Sequence, residues 1–502
     1  MNIQYSTQKK EYGDFQTPLE LANLMIDILK AKKINPEIIV EPTCGIGNIL
    51  IAACSAFFSC KSIGIEINNE YCDVLNKTFQ NNLSINIINA DIFNSFDFLK
   101  NEILKTSNCL FIGNPPWITN SGLAAINGTN IPIKENFKEL RGIDAVTGKS
   151  NFDISEYIII KLIENFCSQK AIFAFLCKTI VARNILKYIW DKNIPYKEAE
   201  IYPIDSKKYF NAAVDACFFV IDFTQKTNFK ECHVFDCIEN KNKKNNLGFF
   251  QGKIIGDIDK FKLYNYLGKS DYVWRNGIKH DCSKVMELTI KKGMLINGYG
   301  ETVEIEDDLL FPLLKSSDIA NGNIEIRKKV IVPQRYIGEN TILIKSKYPK
   351  TWKYLNSHIK DFMSRKSSIY KNKPLFSIFS IGDYSFFPIK IAISGLYKHL
   401  SFQLLLPEQN KCIMVDDTCN YIACKTEAEA EIIYALLTSP EAINYLNSII
   451  FWDSKRPITT EILNSINLLK IADKHHFGTQ YNVLSNYNKS VKKENVMQMT
   501  LF

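Results

Sequence analysis

The 502-residue sequence has no apolar run near the ~20 residues a membrane-spanning helix needs. Its longest apolar pieces are short, such as Ala171 to Cys177 and Ala216 to Ile221, so a membrane enzyme is not expected. The stretch Met1 to Glu11 is polar and has no apolar core ahead of a small-residue cleavage site. No secretory signal is expected, and the predicted location is cytoplasmic. Fourteen cysteines are present, but no C-x-x-C pair occurs, and Cys109, Cys177 and Cys217 sit inside apolar stretches as reduced core thiols do. Neither a disulfide framework nor a zinc knuckle is expected. Histidine is scarce, at six residues. His280 beside Asp281 has no second His or Cys at ligand spacing, so no metal site is predicted. Charge of one sign is nearly lacking too: 61 Lys plus Arg against 53 Asp plus Glu leave +8, which permits a polyanionic partner without requiring one.

What is present is a globular composition, 46% hydrophobic and 23% charged, in a chain long enough for two or three domains. From Ile38 to about Phe223, short β-branched runs alternate with stretches of helical periodicity, which predicts an α/β, doubly wound, Rossmann-like domain with a mostly parallel sheet. The expected strands are Ile38 to Val40, Ser62 to Ile65, Ile85 to Ile88, Cys109 to Ile112, Ala171 to Leu176 and Ala216 to Ile221. The expected helices are Leu19 to Lys30, Asn48 to Phe58, Glu70 to Asn81 and Ser155 to Phe166. The Lys and Asn run from Glu239 to Asn246 has almost nothing to bury and reads as a linker or exposed loop. The expected division is a catalytic domain over 1–235, a connection over 236–270, a mixed α+β domain over 271–475, and a polar tail over 476–502 that frays.

Val40-Glu41-Pro42-Thr43-Cys44-Gly45-Ile46-Gly47-Asn48 lies where a strand turns into a helix, and its glycines allow close backbone approach to a ligand. A G-x-G alone also fits a plain turn. Two acids behind it strengthen the ligand reading: Glu66 ends the next strand about 20 residues on, where a carboxylate accepts from ribose hydroxyls, and Asp91 follows the third. A phosphate would disfavour Glu41 beside the loop. Glu41 points to a cofactor carrying positive charge, such as S-adenosylmethionine.

The fourth strand runs into Asn114-Pro115-Pro116-Trp117. The prolines fix the backbone and remove N–H donors, leaving the Asn114 side-chain oxygen and the Pro115 carbonyl as acceptors for one exocyclic amino group. Held so, the nitrogen lone pair can face a methyl donor, which is positioning and electrostatics rather than covalent catalysis. Trp117 offers a flat face for a planar base.

These segments, with Tyr12-Gly13-Asp14-Phe15-Gln16-Thr17-Pro18 ahead of them, resemble the ordered motifs of gamma-class adenine-specific (N6) DNA methyltransferases of type II restriction-modification systems. The resemblance is close over the first half and looser over the second. It implies a Rossmann-like S-adenosylmethionine-dependent methyltransferase domain followed by a target-recognition domain. It implies that Tyr12, Thr17, Glu41, Thr43, Cys44, Gly45, Gly47, Glu66 and Asp91 form the cofactor site, with Thr17 and Glu41 at the methionine portion, Glu66 at the ribose and Asp91 at the adenine amino group. It further implies that Asn114, Pro115, Pro116 and Trp117 hold a flipped adenine in double-stranded DNA, with Phe210 as a second aromatic clamp. Tryptophan in the last place of the loop is a less usual variant of Tyr or Phe, which keeps stacking and changes pocket shape. The segment from Asn120 to Asn151 is long enough for a lid or a DNA-contacting loop.

Residues 321–400 hold 15 Lys plus Arg, only 4 Asp plus Glu, and 12 aromatics, the mixture that phosphate contact and base stacking need. Trp274, Arg275, Lys279, Arg335, Arg365, Lys366 and Tyr370 are the expected DNA contacts. The competing readings are an RNA methyltransferase, a protein-glutamine N5-methyltransferase, whose family lacks a large basic second domain, and a DNA-binding module with an inert methyltransferase domain. With motif-like residues starting at Tyr12 there is no room for a fused nuclease, so a separately encoded restriction endonuclease and a monomeric enzyme on DNA are expected.

Overall fold

The computed structural model describes residues 15–106, 108–118 and 153–485. Tyr12 and the segment from Asn120 to Asn151 lie outside the described residues. The chain divides into two compact units between Asp259 and Lys260.

The first unit is built on a ten-stranded sheet. Its strands are β1 (Ile38–Glu41), β2 (Lys61–Glu66), β3 (Ile85–Asn89), β4 (Cys109–Gly113), β5 (Ala171–Lys178), β6 (Tyr196–Ile204), β7 (Ala216–Thr227), β8 (Glu231–Phe235), β9 (Lys243–Phe250) and β10 (Lys253–Ile255). The spatial order is β10-β9-β8-β6-β7-β5-β4-β1-β2-β3. Strands β3, β2, β1, β4 and β5 are mutually parallel, and β7 lies antiparallel between β5 and β6. The helices α1 (Leu19–Ala31), α2 (Asn48–Ala56), α3 (Asn69–Thr78), α4 (Phe96–Ile103), α5 (Ile154–Phe166) and α6 (Thr179–Asp191) alternate with these strands. Strands such as β4 and β5 are apolar along nearly their whole length and buried on both faces, as a helix-covered parallel sheet requires. One core cluster joins α1 residues Leu21, Met25 and Leu29 to Ile39, Leu110, Ala174 and Phe218 of the sheet. The fold class, and every expected strand and helix of this region, are as the sequence predicts.

The expected linker is a correction. Residues 243–250 form β9, and residues 236–270 also contribute β10 and the short helix α7 (Ile258–Leu263). No apolar alternation marks β9 because its inward Asn246 is held by polar partners instead: His233 Nδ1 lies 2.7 Å from Asn246 Oδ1, and Asn246 Nδ2 donates to Asp259 at 2.6 Å. Lys243 and Lys244 stay exposed. Strands β6 and β8, which lie between β7 and β9 in the sheet, and helix α6 are likewise absent from the expectation.

The second unit carries two small sheets. One contains β11 (Arg275–Asn276), β16 (Ile389–Ser394), β17 (Phe402–Leu405) and β19 (Cys419–Cys424) in the order β11-β19-β16-β17, all antiparallel. The other contains β12 (Glu287–Lys291), β13 (Met294–Ile296), β14 (Leu310–Leu314), β15 (Lys328–Ile331) and β18 (Met414–Val415) in the order β13-β12-β15-β14-β18. Helices α8 (Glu427–Thr438) and α9 (Pro440–Ile449) follow, broken at Ser439, whose side chain accepts from Ala442 N and caps α9. The expected fraying tail is corrected in part: residues 478–485 are helical, and Tyr481 is buried against Tyr272. One buried aromatic ring anchors this otherwise polar segment. All fourteen cysteines are free. Among the described residues, no helix is long and apolar enough to cross a membrane.

Candidate active site

In the order β3-β2-β1-β4 the chain reverses direction of progress between β1 and β4, and ligands of open α/β sheets bind beyond the strand ends at such a point. Four sequence-predicted groups meet there. Glu41 ends β1, Glu66 ends β2, Asp91 follows β3, and Asn114 follows β4.

The loop after β1 turns through Gly45 at φ 53° and Gly47 at φ 81°, the left-handed region where a Cβ is strained. A Cβ on Gly47 would also stand 2.4 Å from Leu75 Cδ2. Glu66 braces this loop: its Oε2 accepts from Gly45 N and its Oε1 from Asn68 N, each at 2.8 Å. Asp91 accepts from Phe93 N at 2.9 Å and is half-buried.

Glu41 is 2% exposed, and its Oε2 is buried with no partner. Burial pushes its carboxyl well above the usual carboxylate range; the Leu50 backbone N–H opposes this and the Glu66 charge adds to it. Thr43 Oγ1 is likewise buried without a partner. The Cys44 thiol, buried beside Glu41 and Glu66, is pushed up as well and stays protonated.

The loop after β4 is fixed at both ends. Asn114 Nδ2 donates to Phe15 O at 2.9 Å and to Thr17 Oγ1 at 3.2 Å, while Asn114 Oδ1 is buried with no partner. Trp117 Nε1 donates to Leu176 O at 3.4 Å, and Lys178 Nζ donates to Trp117 O at 3.0 Å and to Asp153 at 2.7 Å. Phe210 ends the helical turn Ser206–Phe210. Its ring packs on Trp117 at 5.2 Å and 71° between centroids and planes, and Phe15 touches both, at 5.5 and 5.9 Å.

Sequence reasoning assigned no role to Lys178, Asp153 or Phe15. Lys178 and Asp153 carry no motif; they meet because β5 ends, and α5 begins, beside the loop. The segment 15–17 also ties the two loops together: Gln16 Oε1 accepts from Ile46 N at 3.0 Å and Thr17 O accepts from Asn48 Nδ2 at 2.8 Å.

The model of the N-6 DNA Methylase family matches residues 2–246. Over 471 residues the chain is 45% identical to the type II methyltransferase M.NspV of Nostoc sp. (strain ATCC 29411 / PCC 7524), an alignment covering 92% of this chain and 98% of that protein. The chain belongs to the type II N6-adenine DNA methyltransferases. This methyltransferase is also similar in fold to the type IIL restriction-modification enzyme MmeI, solved in complex with DNA, at a TM-score of 0.56 and 13% identity. That match covers 91% of this chain, which spans 64% of the MmeI chain.

In the second unit of the methyltransferase, two of the expected DNA contacts, Trp274 and Arg365, serve packing within the fold, which corrects the sequence reading for them. Trp274 is 2% exposed and packs on Phe402. The Arg365 guanidinium donates to the carbonyls of Phe362, His280, Ser377 and Leu375, and lies 3.7 Å from the Tyr370 ring centroid. A single arginine satisfying four main-chain acceptors is a clasp between loops. Its basic, aromatic neighbourhood reads the same in sequence as a DNA face. Arg275 stacks on Tyr384 at 3.9 Å, and Lys279 pairs with Asp281 and Asp417. His280 is buried: its Nδ1 accepts from Cys282 N at 3.1 Å, and its Nε2 faces Glu287 at 3.4 Å.

Arg335 and Lys366 are exposed. Arg335 opens a turn with Tyr336 and Ile337, which are 60% and 48% exposed. The buried Gln334 side chain spans the turn's base, donating to Tyr336 O at 2.7 Å and accepting from Ile378 N at 3.1 Å. This firm, solvent-facing turn was not singled out beyond Arg335. Its signal in sequence is the apolar pair between Arg335 and Gly338.

Proposed function

We propose that the enzyme transfers a methyl group from S-adenosylmethionine to N6 of an adenine flipped out of double-stranded DNA, at a specific site. The observation that carries this reading is the pair of buried, unpartnered acceptors, Glu41 Oε2 and Asn114 Oδ1, at the ends of the two strands flanking the switch point. A buried acceptor without a donor costs about 1–3 kcal/mol, a cost that a cationic cofactor group and an amino group of the substrate would each remove.

The residues present fit the cofactor. Glu41 would accept from its ammonium, Thr17, Thr43, Cys44, Gly45 and Gly47 would line its methionine portion, and Glu66 and Asp91 would take the ribose hydroxyls and the adenine amino group. When bound, S-adenosylmethionine supplies an electrophilic methyl on a sulfonium that leaves as a neutral thioether. Asn114 Oδ1 and the Pro115 carbonyl accept the two N6 hydrogens of the target and hold its lone pair out of conjugation with the ring. Pro116 keeps the loop rigid. Trp117 stacks on the base and Phe210 closes on it, and the base enters where the rings now touch one another. Extruding the nucleotide costs a few kcal/mol. The second unit supplies DNA contacts, with Arg335 and Lys366 facing solvent.

The enzyme acts as a monomer on DNA, in the cytoplasm, protecting sites that a separately encoded restriction endonuclease cuts. Incubation of purified protein with labelled S-adenosylmethionine and plasmid DNA, followed by mapping of N6-methyladenine, tests the reading. Transfer to RNA or protein but not to DNA would overturn it, and metal-dependent cleavage by the purified chain would overturn the separate nuclease.

A further inference from the structure

We propose that Thr17 is a positioning residue for methyl transfer: the Phe15 carbonyl sets the direction of the Asn114 amide, and Thr17, by taking its second hydrogen, holds the amide oxygen toward the target amino group. The inference rests on the reading of Asn114 as acceptor for the adenine amino group.

A primary amide has two nearly isosteric ends, one donating and one accepting, so its direction is set by its neighbours. The Phe15 carbonyl, 2.9 Å from Asn114 Nδ2, can only accept, so the NH2 end must face it. Thr17 Oγ1, at 3.2 Å from the same nitrogen, takes the second hydrogen. Both N–H groups are then used, and Oδ1 is left as a buried acceptor without a partner. Turned over, the amide would set Oδ1 against the Phe15 carbonyl and present N–H groups to an amino group that itself must donate.

A threonine directly before a helix usually caps it. Here Pro18 is the residue that precedes α1, and that helix start has no side-chain cap bond. The Thr17 hydroxyl is 5% exposed at the residue level and is aimed at Asn114 instead. Its main chain is fixed independently, because Thr17 O accepts from Asn48 Nδ2 at 2.8 Å on the cofactor side. The hydroxyl can therefore be removed without releasing the segment.

The test compares Thr17→Val, Thr17→Ser and Thr17→Ala in the full-length protein. The single-turnover methylation rate on the mapped DNA site and the Kd for S-adenosylhomocysteine by calorimetry are measured for each. Val, which keeps shape and loses the hydroxyl, is expected to slow transfer at saturating S-adenosylmethionine roughly five- to tenfold, the value of one hydrogen bond, beyond any change in Kd that its place beside the methionine portion brings. Ser is expected to restore the rate. A rate loss that disappears at saturating S-adenosylmethionine would confine Thr17 to cofactor binding and overturn the proposal, as would a Val variant at the wild-type rate. Should Val fail to fold, the Ser to Ala rate ratio carries the same test, and equal rates overturn it. An Asn114→Ala variant that transfers normally would instead show that the underlying reading of Asn114 has failed.

Discussion

The strand ends of the first unit and the ion-pair network of the second treat buried polar groups in opposite ways. At the ends of β1 and β4, Glu41, Thr43 and Asn114 each hold a buried oxygen without a partner. In the second unit the buried charges satisfy one another. Glu287 is buried, which raises a carboxyl, yet hydrogen bonds from His280 and Lys315 hold it at about 2. Lys315 in turn reaches Asp416 at 3.2 Å, and Arg365 spends its donors on carbonyls. The difference separates strand ends that gather three unmet oxygens from a charge network closed on itself. Single unmet groups, Trp274 Nε1 and Tyr370 Oη, also lie buried in the second unit, so it is the gathering of unmet acceptors at the strand ends, not an unmet group as such, that marks a place for ligands.

The largest expected effect tests the unmet half of this contrast. Asn114→Ala should lower the methyl-transfer rate by roughly 10²–10³-fold, while S-adenosylhomocysteine binding by calorimetry stays near wild type. An equal loss of cofactor affinity would place Asn114 with the cofactor instead.

Arg365→Ala tests the satisfied half. It should destabilise the protein by roughly 3 kcal/mol in urea unfolding, because several main-chain acceptors lose their donor. Arg365→Lys should not rescue it, since a single ammonium cannot span the fork. A DNA-affinity loss at unchanged stability would return Arg365 to the DNA face.

Glu41→Gln should weaken cofactor binding roughly 10–100-fold, the value of a charged hydrogen bond. Because the folded carboxyl titrates above its ordinary 4.5, the free wild type loses stability as pH rises from there through the raised value. The Gln variant lacks that loss, so the free variant should melt higher at neutral pH. A lower melting temperature for Gln would mean that Glu41 serves the fold.

Lys390 breaks the pattern of the second unit. Buried on β16 with one long bond, 3.3 Å to Phe387 O, it is pushed down to about 8 from 10.5 by burial, with Cys412 opposing. A depressed amine costs stability below pH 8, a cost that eases as pH rises towards 10.5. Lys390→Met should therefore stabilise the protein at pH 7 by on the order of 1–2 kcal/mol, an advantage that shrinks by pH 10 in thermal melts. If Lys390→Met is destabilising at every pH, Lys390 is satisfied after all and joins the paired charges of the second unit.

The smallest effect is on DNA. Arg335→Ala or Lys366→Ala should weaken binding a few-fold and lower the salt slope by about one where the side chain meets a phosphate. An unchanged slope for both would move the DNA contacts elsewhere in the second unit.

The catalytic half was legible because its signals are local. Runs such as Cys109-Leu110-Phe111-Ile112 announce buried strands by composition, and Gly45, Gly47, Glu66 and Asn114 sit at strand ends where chain order alone brings them together. The second half was not. A basic residue among aromatics, such as Arg365 between Phe362 and Tyr370, looks the same whether it faces phosphate or clasps loops, and only burial and partners tell the two apart. Strand β9 was missed for a related reason: its inward Asn246 is held by hydrogen bonds from elements distant in the chain rather than by apolar contact.

By itself, then, the sequence determined the parallel α/β framework, the order of its motifs and the chemistry of the groups at its strand ends, because each depends on backbone preferences and residue types within a short window. Only the tertiary structure decided which of those groups remain unpaired, which way the Asn114 amide points, and which arginines are free to meet DNA. Those are properties of neighbours, and the neighbours of Asn114 lie 97 and 99 residues away along the chain.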